Sequence, residues 1–376
     1  MDEEIRLVEL KKYVTVKNLL ELLFMTILYA VLDNVGGIKK YAVVLFACFL
    51  FFVFGRKKKW SLEALACVIL PVAVYVLCGS FSALAAGNSQ MNTIKIILYV
   101  LVPVVFSFSM YTFYGENMDH IVNMQFLGSV LGYAFFDAPY FAKIVHWESV
   151  YAFTFGLFVI YYAHQKKWKW CIPAFLFMIF AEKRIAILAV VMSLILMGIL
   201  WFFRQNKKLV AAFWGIVSVA VYGYVYLIYS GIMEAFCWGA NIDTNGRVEM
   251  YARMADEAVF SPVYFGRGLG IVEMLLEHWN VTAFANLHND LLKFYIELGF
   301  VGLFLYLLSF GIMFYYVEKW FGKSPMCFFF GISVYTMILF ATDNVSIYMI
   351  YLIPLYTVFF AALFPKKMEK KMKEKK

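Results

Sequence analysis

The chain contains few charged residues. Only 15% of its 376 residues are Asp, Glu, Lys or Arg, and 64% are hydrophobic, whereas soluble domains carry about 25% charged and about 45 to 50% apolar residues. The apolar residues form blocks of roughly 15 to 25 separated by short polar breaks, and a helix needs about 20 residues to cross about 30 Å of hydrocarbon. This composition excludes an ordinary soluble domain. It predicts an all-α, polytopic integral membrane protein.

Sequence signatures of metal and nucleotide sites are also missing. No CxxC pair occurs among the six cysteines, and the five histidines are widely scattered, so neither a disulfide framework nor a metal cluster is indicated. The chain has no P-loop and no HExxH motif. We therefore predict no bound metal and no cofactor.

Twelve apolar blocks predict about 12 transmembrane helices. Their centres lie near Leu23, Leu45, Val72, Val102, Gly128, Leu157, Phe177, Met192, Gly215, Phe304, Met337 and Thr357. An even number places both termini on one side of the membrane, and Lys and Arg mark the cytoplasmic breaks. With both termini cytoplasmic, the inner segments carry 23 of the 33 Lys and Arg residues, which favours this orientation.

The two ends of the chain fit the same topology. The mixed-charge stretch 1–17 has no small-residue cleavage site, so the first span is predicted to be a retained signal anchor. Residues 365–376 form a basic cytoplasmic tail that suits anionic membrane lipid. This tail accounts for much of the net charge of +8, and no nucleic-acid partner is predicted.

The chain is predicted to be a single membrane domain, 1–376, with one large structured extracytoplasmic loop. This loop covers residues 230–287, between spans nine and ten. Apolar residues at helical spacing from Arg247 to Phe260 predict an amphipathic helix within it, and the stretch "SPVYFGRGLG" predicts a turn. A long structured loop in a compact protein is usually functional.

Three predicted outer positions carry polar residues beside apolar blocks. They are the "EKR" break that contains Arg184, the loop residue Arg247, and His288 at the mouth of span ten. Charge within a span costs about 2.5 to 3.5 kcal/mol, so each such group needs a reason. Arginine has a planar fork of donors that suits a diphosphate, and histidine is a common general base near neutral pH. Together they would suit transfer of a group from a lipid-linked phosphate to a hydroxyl.

Structural explanations without chemistry remain open for the same residues. Arg184 could lie in a solvated hairpin, and Arg247 could pair with Glu249 or Asp243. His288 could be an interfacial side chain beside a helix N-cap formed by Asn289 or Asp290. The spacing of Asp290, Lys293 and Glu297 could form an ion-pair ladder on one helix face.

The motifs follow a recognisable order along residues 180–308. An Arg stands at a short break in "EKRIA", the loop helix begins at "TNGRVEMY", the turn "SPVYFGRGLG" follows, and "HN" precedes a span that contains "ELGFVGLFLYLL". This order resembles the bacterial O-antigen polymerase and O-antigen ligase superfamily. The chain departs from the family pattern at Glu182 and Lys183, where small residues are usual, and at Tyr251, where Trp is frequent.

The resemblance implies a metal-independent, inverting glycosyltransferase that uses lipid-diphosphate-linked glycans. It places the protein in the bacterial cytoplasmic (inner) membrane. Arg184 and Arg247 would bind the diphosphate, and His288 would be the general base. Supporting residues would be Arg267, Asn289, Asp290, Lys293 and Glu297. The implied partners are undecaprenyl-diphosphate-linked glycan donor and acceptor, membrane lipid, a flippase and chain-length regulator proteins.

The favoured function is polymerisation of such lipid-linked repeat units into capsular, exopolysaccharide or O-antigen chains. Ligase-type transfer to another acceptor would use similar residues. A 12-span polysaccharide transporter, or flippase, would show two similar halves, and the two halves of this chain differ around the single large loop. A scaffolding protein would not bring Arg184, Arg247 and His288 together.

Overall fold

The computed structural model describes most of the chain. The described residues are 15–34, 39–54, 61–87, 90–137, 148–242, 244, 246–279 and 287–364. Within these ranges the protein is helical and has no β-strand, as the composition predicts. The mixed-charge stretch before residue 15, the basic break 56–59 and the tail 365–376 lie outside the described residues.

The helices before the large loop are α1 (Val16–Asn34), α2 (Lys39–Phe54), α3 (Leu62–Ala86), α4 (Gln90–Tyr114), α5 (Met118–Gly132), α6 (Tyr151–His164), α7 (Trp168–Phe180), α8 (Arg184–Phe202) and α9 (Lys207–Tyr229). Three short helices lie in the loop, namely α10 (Ile232–Gly239), α11 (Arg247–Ala255) and α12 (Ile271–His278). The chain then forms α13 (Asp290–Phe321), α14 (Lys323–Phe340) and α15 (Met349–Ala362).

Each of the twelve predicted span centres lies in a different helix of this series. By length and composition, six helical segments among the described residues are long and apolar enough to cross a membrane: Leu62–Ala86, Asn92–Asp137, Arg184–Phe202, Lys207–Tyr229, Asp290–Phe321 and Lys323–Phe340. Shorter apolar helices are α7 and α15. The helices are therefore confirmed, while twelve crossings stay a prediction.

The second of these segments is too long for one crossing. At 1.5 Å per residue, its 46 residues would span more than twice the hydrocarbon core of about 30 Å. Gly115, between α4 and α5, has a φ of +54°, a left-handed conformation that interrupts an α-helix. The segment is accordingly two helices, as the two separate span centres predict.

The centre of the bundle is formed by helices that are apolar on every side. All residues of α15 are buried, and so are residues 151–162 of α6, as expected for a helix surrounded by other helices. The outer helices expose large apolar side chains such as Phe46, Leu188 and Val219. These exposed faces suit contact with lipid.

Ion pairs between helices separate into two groups. At the predicted inner end they are Glu21–His120, Asp119–Lys167 and Lys207–Glu318. At the predicted outer end they are Glu148–Lys183, Lys183–Asp343 and Glu273–Lys293. No pair among the described residues joins one predicted end to the other, which agrees with helices that alternate in direction. Which end faces the cytoplasm stays a prediction.

The large loop has its own apolar core against the bundle. The predicted amphipathic helix is confirmed as α11, although it ends at Ala255 rather than near Phe260. Val248, Tyr251 and Met254 are buried, and Tyr251 and Met254 pack with residues of α12 and the first turns of α13. The loop is therefore folded onto the bundle.

Helix α13 is broken inside its apolar sequence at Gly299, which has φ +74° and ψ −176°. The loop stretch 264–270 packs into this break. The N–H groups of Arg267 and Gly268 donate to carbonyls in the last turn before the break, each at 2.9 Å. A Cβ atom on Gly299 would lie 2.3 Å from the Gly266 nitrogen. The Gly-rich stretch turns as predicted, since its three glycines have positive φ, and it also supplies donors to the broken helix.

Candidate functional site

The ends of three helical segments meet at Asp343, at one end of the bundle. This residue lies in the break between α14 and α15 and is almost fully buried. The Lys183 ammonium lies 2.7 Å from its Oδ2, and the His288 Nδ1 lies 3.4 Å from its Oδ1. Tyr348 donates a hydrogen bond to the same Oδ1 at 3.2 Å. Asp343 therefore joins the α7–α8 hairpin to the start of α13.

Lys183 is the buried cation of this cluster. Its ammonium lies between Asp343 and Glu148, which is 3.2 Å away, and above the ring of Phe153. A buried charge of this kind needs a paired partner, because desolvation costs several kcal/mol per ion. The departure from the family pattern at this position therefore has a structural role, which is to balance the charge of Asp343.

The main chain of His288 is held on both sides. Its φ is +54°, a left-handed conformation that is uncommon for a residue other than glycine. Its N–H donates to the Asn344 Oδ1 at 2.9 Å, and its carbonyl accepts from the Tyr251 hydroxyl at 2.8 Å. Such conformations persist when the surroundings enforce them, and they are concentrated at functional sites.

The two ring nitrogens of His288 have different surroundings. Nδ1 is buried, and no hydrogen bond satisfies it within the described residues; the nearby acceptor is the Asp343 carboxylate at 3.4 Å. The side chain as a whole is 26% exposed, so the accessible part of the ring lies away from the buried Nδ1. Catalytic hydrogen bonds are often long without substrate and tighten in the complex. This geometry suits a histidine that is oriented through Nδ1 and reacts through Nε2.

Asp343 is ionised at neutral pH. Burial raises the pKa of its carboxyl, but the His288 ring, the Lys183 ammonium and the Asn344 N–H together lower it more, and the pKa ends well below its ordinary value. A carboxylate that stays negative can stabilise a positive charge on the neighbouring imidazole. The Asp343 carboxylate therefore supplies a negative charge beside the His288 ring.

Arg184 and Arg247 each begin a helix near this cluster. Arg184 follows Lys183 directly and is exposed at the start of α8, and Arg247 is half-buried at the start of α11. Burial raises the pKa of Tyr251, and the guanidinium of Arg247, one helical turn earlier on α11, opposes this rise; the Tyr251 hydroxyl is the group that donates to the His288 carbonyl. Among the described residues, no carboxylate forms an ion pair with either arginine. The proposed pair of Arg247 with Glu249 is thus not formed, and Asp243 lies outside the described residues.

Asn289 and Asp290 fix the start of α13. Asn289 is the N-cap, since its side chain accepts from the N–H of Leu292, as one of the structural explanations predicts. Asp290 accepts from the N–H and hydroxyl of Ser346 at 2.8 and 2.6 Å. These bonds attach the α14–α15 break to α13 beside His288.

Lys293, Glu297 and Arg267 bind partners on other elements. Lys293 pairs with Glu273 of α12, and Glu297 accepts from the Tyr75 hydroxyl at 2.7 Å and the Gly270 N–H at 2.8 Å. The ion-pair ladder considered along α13 is not formed, because these side chains bind residues of other helices and of the loop instead of one another. Arg267 pairs with a loop carboxylate, Glu257. Lys293 and Glu297 therefore hold the loop on the bundle, whereas the side-chain pair of Arg267 lies within the loop.

Sequence reasoning did not identify Asp343 or the role of Lys183. The signal for Asp343 was present in "ATDNVSIY", a short break between spans eleven and twelve that the topology places on the outer side. Asn344, the next residue, is also buried, and its side chain accepts from the His288 N–H. No group of three or more potential metal ligands occurs among the described residues.

The fold and the site define a class: a multi-pass helical membrane protein in which a histidine and a buried carboxylate meet at one end of the bundle. Residues 170–307 match the family model described as O-antigen ligase. This match confirms the predicted resemblance to the O-antigen polymerase and ligase superfamily. The matched segment contains Arg184, Arg247 and His288 and ends before Asp343. Searches of curated proteins and of solved structures found no match.

Proposed function

We propose that this protein polymerises lipid-diphosphate-linked oligosaccharide repeat units by inverting glycosyl transfer. The observation that carries the proposal is the contact of Asp343 with His288, a residue of the segment that matches the family model. In the reaction, an acceptor hydroxyl oxygen bonds to the donor's anomeric carbon, and the bond from that carbon to the phosphate oxygen breaks. The electron pair leaves on the lipid diphosphate.

His288 is the general base in this proposal. Its Nε2 takes the proton of the acceptor hydroxyl, while Asp343 faces Nδ1 and stabilises the resulting imidazolium. A positioned general base contributes about 10² to 10⁴ in rate. The left-handed main chain of His288, held by Asn344 and Tyr251, keeps the ring in place.

Arg184 and Arg247 bind the leaving diphosphate. Neither arginine has a carboxylate partner among the described residues, so their donors are available to phosphate oxygens. Fixed cations aimed at developing negative charge commonly provide a large part of catalysis. No step of the reaction needs a metal ion in this scheme.

The proposed setting is the outer face of a bacterial cytoplasmic membrane. Twelve crossings with both termini cytoplasmic would place the loop, His288 and Asp343 outside, where lipid-linked glycans are used. The product would be a capsular, exopolysaccharide or O-antigen chain, made with a flippase and chain-length regulators as partners. The cation excess of the inner segments supports this orientation.

Ligase-type transfer is the second candidate, because the matching family model is described as O-antigen ligase. A ligase would use the same base and arginines and would differ in its acceptor. It would join one glycan to a different lipid, whereas a polymerase would add successive repeat units. The distribution of product lengths separates the two.

The proposal is tested with the full chain reconstituted in lipid vesicles. Undecaprenyl-diphosphate-linked repeat unit from the producing cell is supplied alone, or with lipid A core as a second acceptor. A ladder of longer glycans in the first arm is expected. A single transfer seen only in the second arm would indicate the ligase.

His288→Ala should abolish either product. The matched control is His164→Ala, whose ring lies near Ser324 at the opposite end of the bundle and which should retain activity. Chain growth by His288→Ala equal to wild type would remove His288 from the base role.

A further inference from the structure

A cavity of about 370 Å³ opens in the large loop between the end of α10 and the start of α11. The residues that line it include Trp238, Asn241, Thr244 and Glu249. A second cavity, between α1, α2 and α4, is lined mainly by Phe and Leu side chains and suits a lipid chain. The loop cavity differs because it combines one large aromatic surface with several hydrogen-bonding groups.

This combination suits a saccharide. A pyranose ring has an apolar C–H face that packs on an aromatic ring, and hydroxyl groups at its edge that need both donors and acceptors. An indole provides a broad, rigid contact surface, the Asn side chain both donates and accepts, and Glu accepts. Ligand pockets generally combine apolar surface with a few such polar groups.

The position of Trp238 on α10 argues against a simple role in membrane anchoring. Ile232 and Phe236 are four residues apart and both exposed, so they form the apolar outer face of this helix. Trp238 lies on a different side, one turn after Glu234, and it lines the cavity. Its ring is 69% exposed although it is not on the apolar face. An exposed indole beside polar groups is what a ligand would cover.

The cavity adjoins the proposed diphosphate site. Gly246 and Val248, the residues on either side of Arg247, both line it. Tyr251, one helical turn after Arg247, donates to the His288 carbonyl at 2.8 Å. A diphosphate held by Arg247 would therefore lie at the same end of α11 as this cavity.

We propose that the cavity between α10 and α11 is a saccharide subsite for the sugars next to the diphosphate of the lipid-linked donor, with Trp238 as its stacking surface. This inference rests on the proposed function. It adds a specificity-determining site that is separate from the reacting groups. Trp238 and Asn241 would select the repeat unit, while His288 and the arginines perform the transfer.

The test measures binding of a water-soluble probe to the purified full chain in detergent. The probe is the repeat oligosaccharide released from the producing cell's lipid intermediate by mild acid, titrated calorimetrically. Trp238→Ala should bind it about tenfold more weakly, the change expected for loss of one stacking contact. Trp238→Tyr should retain most of the affinity, because a smaller aromatic ring still stacks.

The matched control is Trp201→Ala, since Trp201 has the same 69% exposure but ends α8 on the predicted inner side. It should bind the probe as wild type does. If Trp238→Ala bound the probe as tightly as wild type does, the subsite would be overturned. Equal losses of probe affinity in Trp238→Ala and Trp201→Ala would overturn it as well.

Measuring glycan transfer beside probe binding distinguishes a failure of this inference from a failure of the proposed function. If wild type elongates glycans while Trp238→Ala leaves probe binding unchanged, only the subsite is wrong. If the probe binds with the predicted Trp238 dependence but no glycan is transferred in either reconstitution arm, the proposed reaction is wrong and the saccharide site stands.

Discussion

The Lys183 ammonium contacts the Asp343 carboxylate at 2.7 Å, across 160 residues of sequence. This contact joins the α7–α8 hairpin to the break between α14 and α15. It occupies Oδ2 of Asp343, and the other oxygen faces His288. The orientation of the proposed base therefore depends on a cation from a distant part of the chain.

Asp343→Asn should reduce glycan transfer by about 10² to 10⁴-fold, the range that a well-placed general base contributes. The amide can no longer stabilise a protonated His288, although its size is nearly unchanged. Initial rates in the vesicle assay measure the effect. Asp119→Asn is the control, because Asp119 pairs with Lys167 at the opposite end and should keep normal activity. Equal rates for both variants would contradict the role of Asp343.

Lys183→Met should destabilise the protein by about 3 to 5 kcal/mol, because it leaves a buried carboxylate without its cation. The double variant Lys183→Met with Asp343→Asn should recover much of this loss. Thermal unfolding in detergent compares the single and double variants. Lys207→Met removes a half-exposed pair with Glu318 and should change the Tm little. If the stability change of the double variant equalled the sum of the changes in Lys183→Met and Asp343→Asn, the two side chains would not be energetically coupled.

Arg184→Gln and Arg247→Gln should each lower kcat/KM for the lipid-linked donor by about 10² to 10³-fold, as expected when one donor to developing charge is removed. Lysine at either position should restore only part of the rate, because an ammonium lacks the planar fork of guanidinium. Arg204→Gln, at the opposite end of α8, is the control. If kcat/KM fell as much in Arg204→Gln as in Arg184→Gln and Arg247→Gln, the effect would be a general one of lost positive charge.

Gly299→Ala should destabilise the protein, because its positive φ disfavours a side chain by about 1 to 3 kcal/mol and its Cβ would clash with Gly266. Gly198→Ala in α8 is the control, since no atom lies within 4 Å of its added Cβ. That change should be neutral or stabilising by up to about 1 kcal/mol. A Gly299→Ala protein as stable as wild type would mean that the loop stretch does not need this close approach.

The helices could be predicted because each one corresponds to a single continuous apolar block of the sequence. All twelve predicted span centres lie in separate helices. The buried face of α11 followed from its spacing in the same way. Contacts between distant segments could not be predicted. An ion-pair ladder on its own helix was one open explanation for Lys293, but its partner is Glu273 of α12. Asp343 was missed because its partners, Lys183 and His288, come from two other breaks in the chain.

The ribosome makes the loop before it makes α13, and this order matters for the hydrogen bonds at the break in α13. The carbonyls of Ile296 and Glu297 lose their helical donors at Gly299, and the replacing N–H groups belong to Arg267 and Gly268. These donors precede the break in the chain, so the ribosome has already made them when α13 emerges. The polar backbone of the break can therefore be satisfied as soon as α13 packs against the loop, without waiting for α14 or α15.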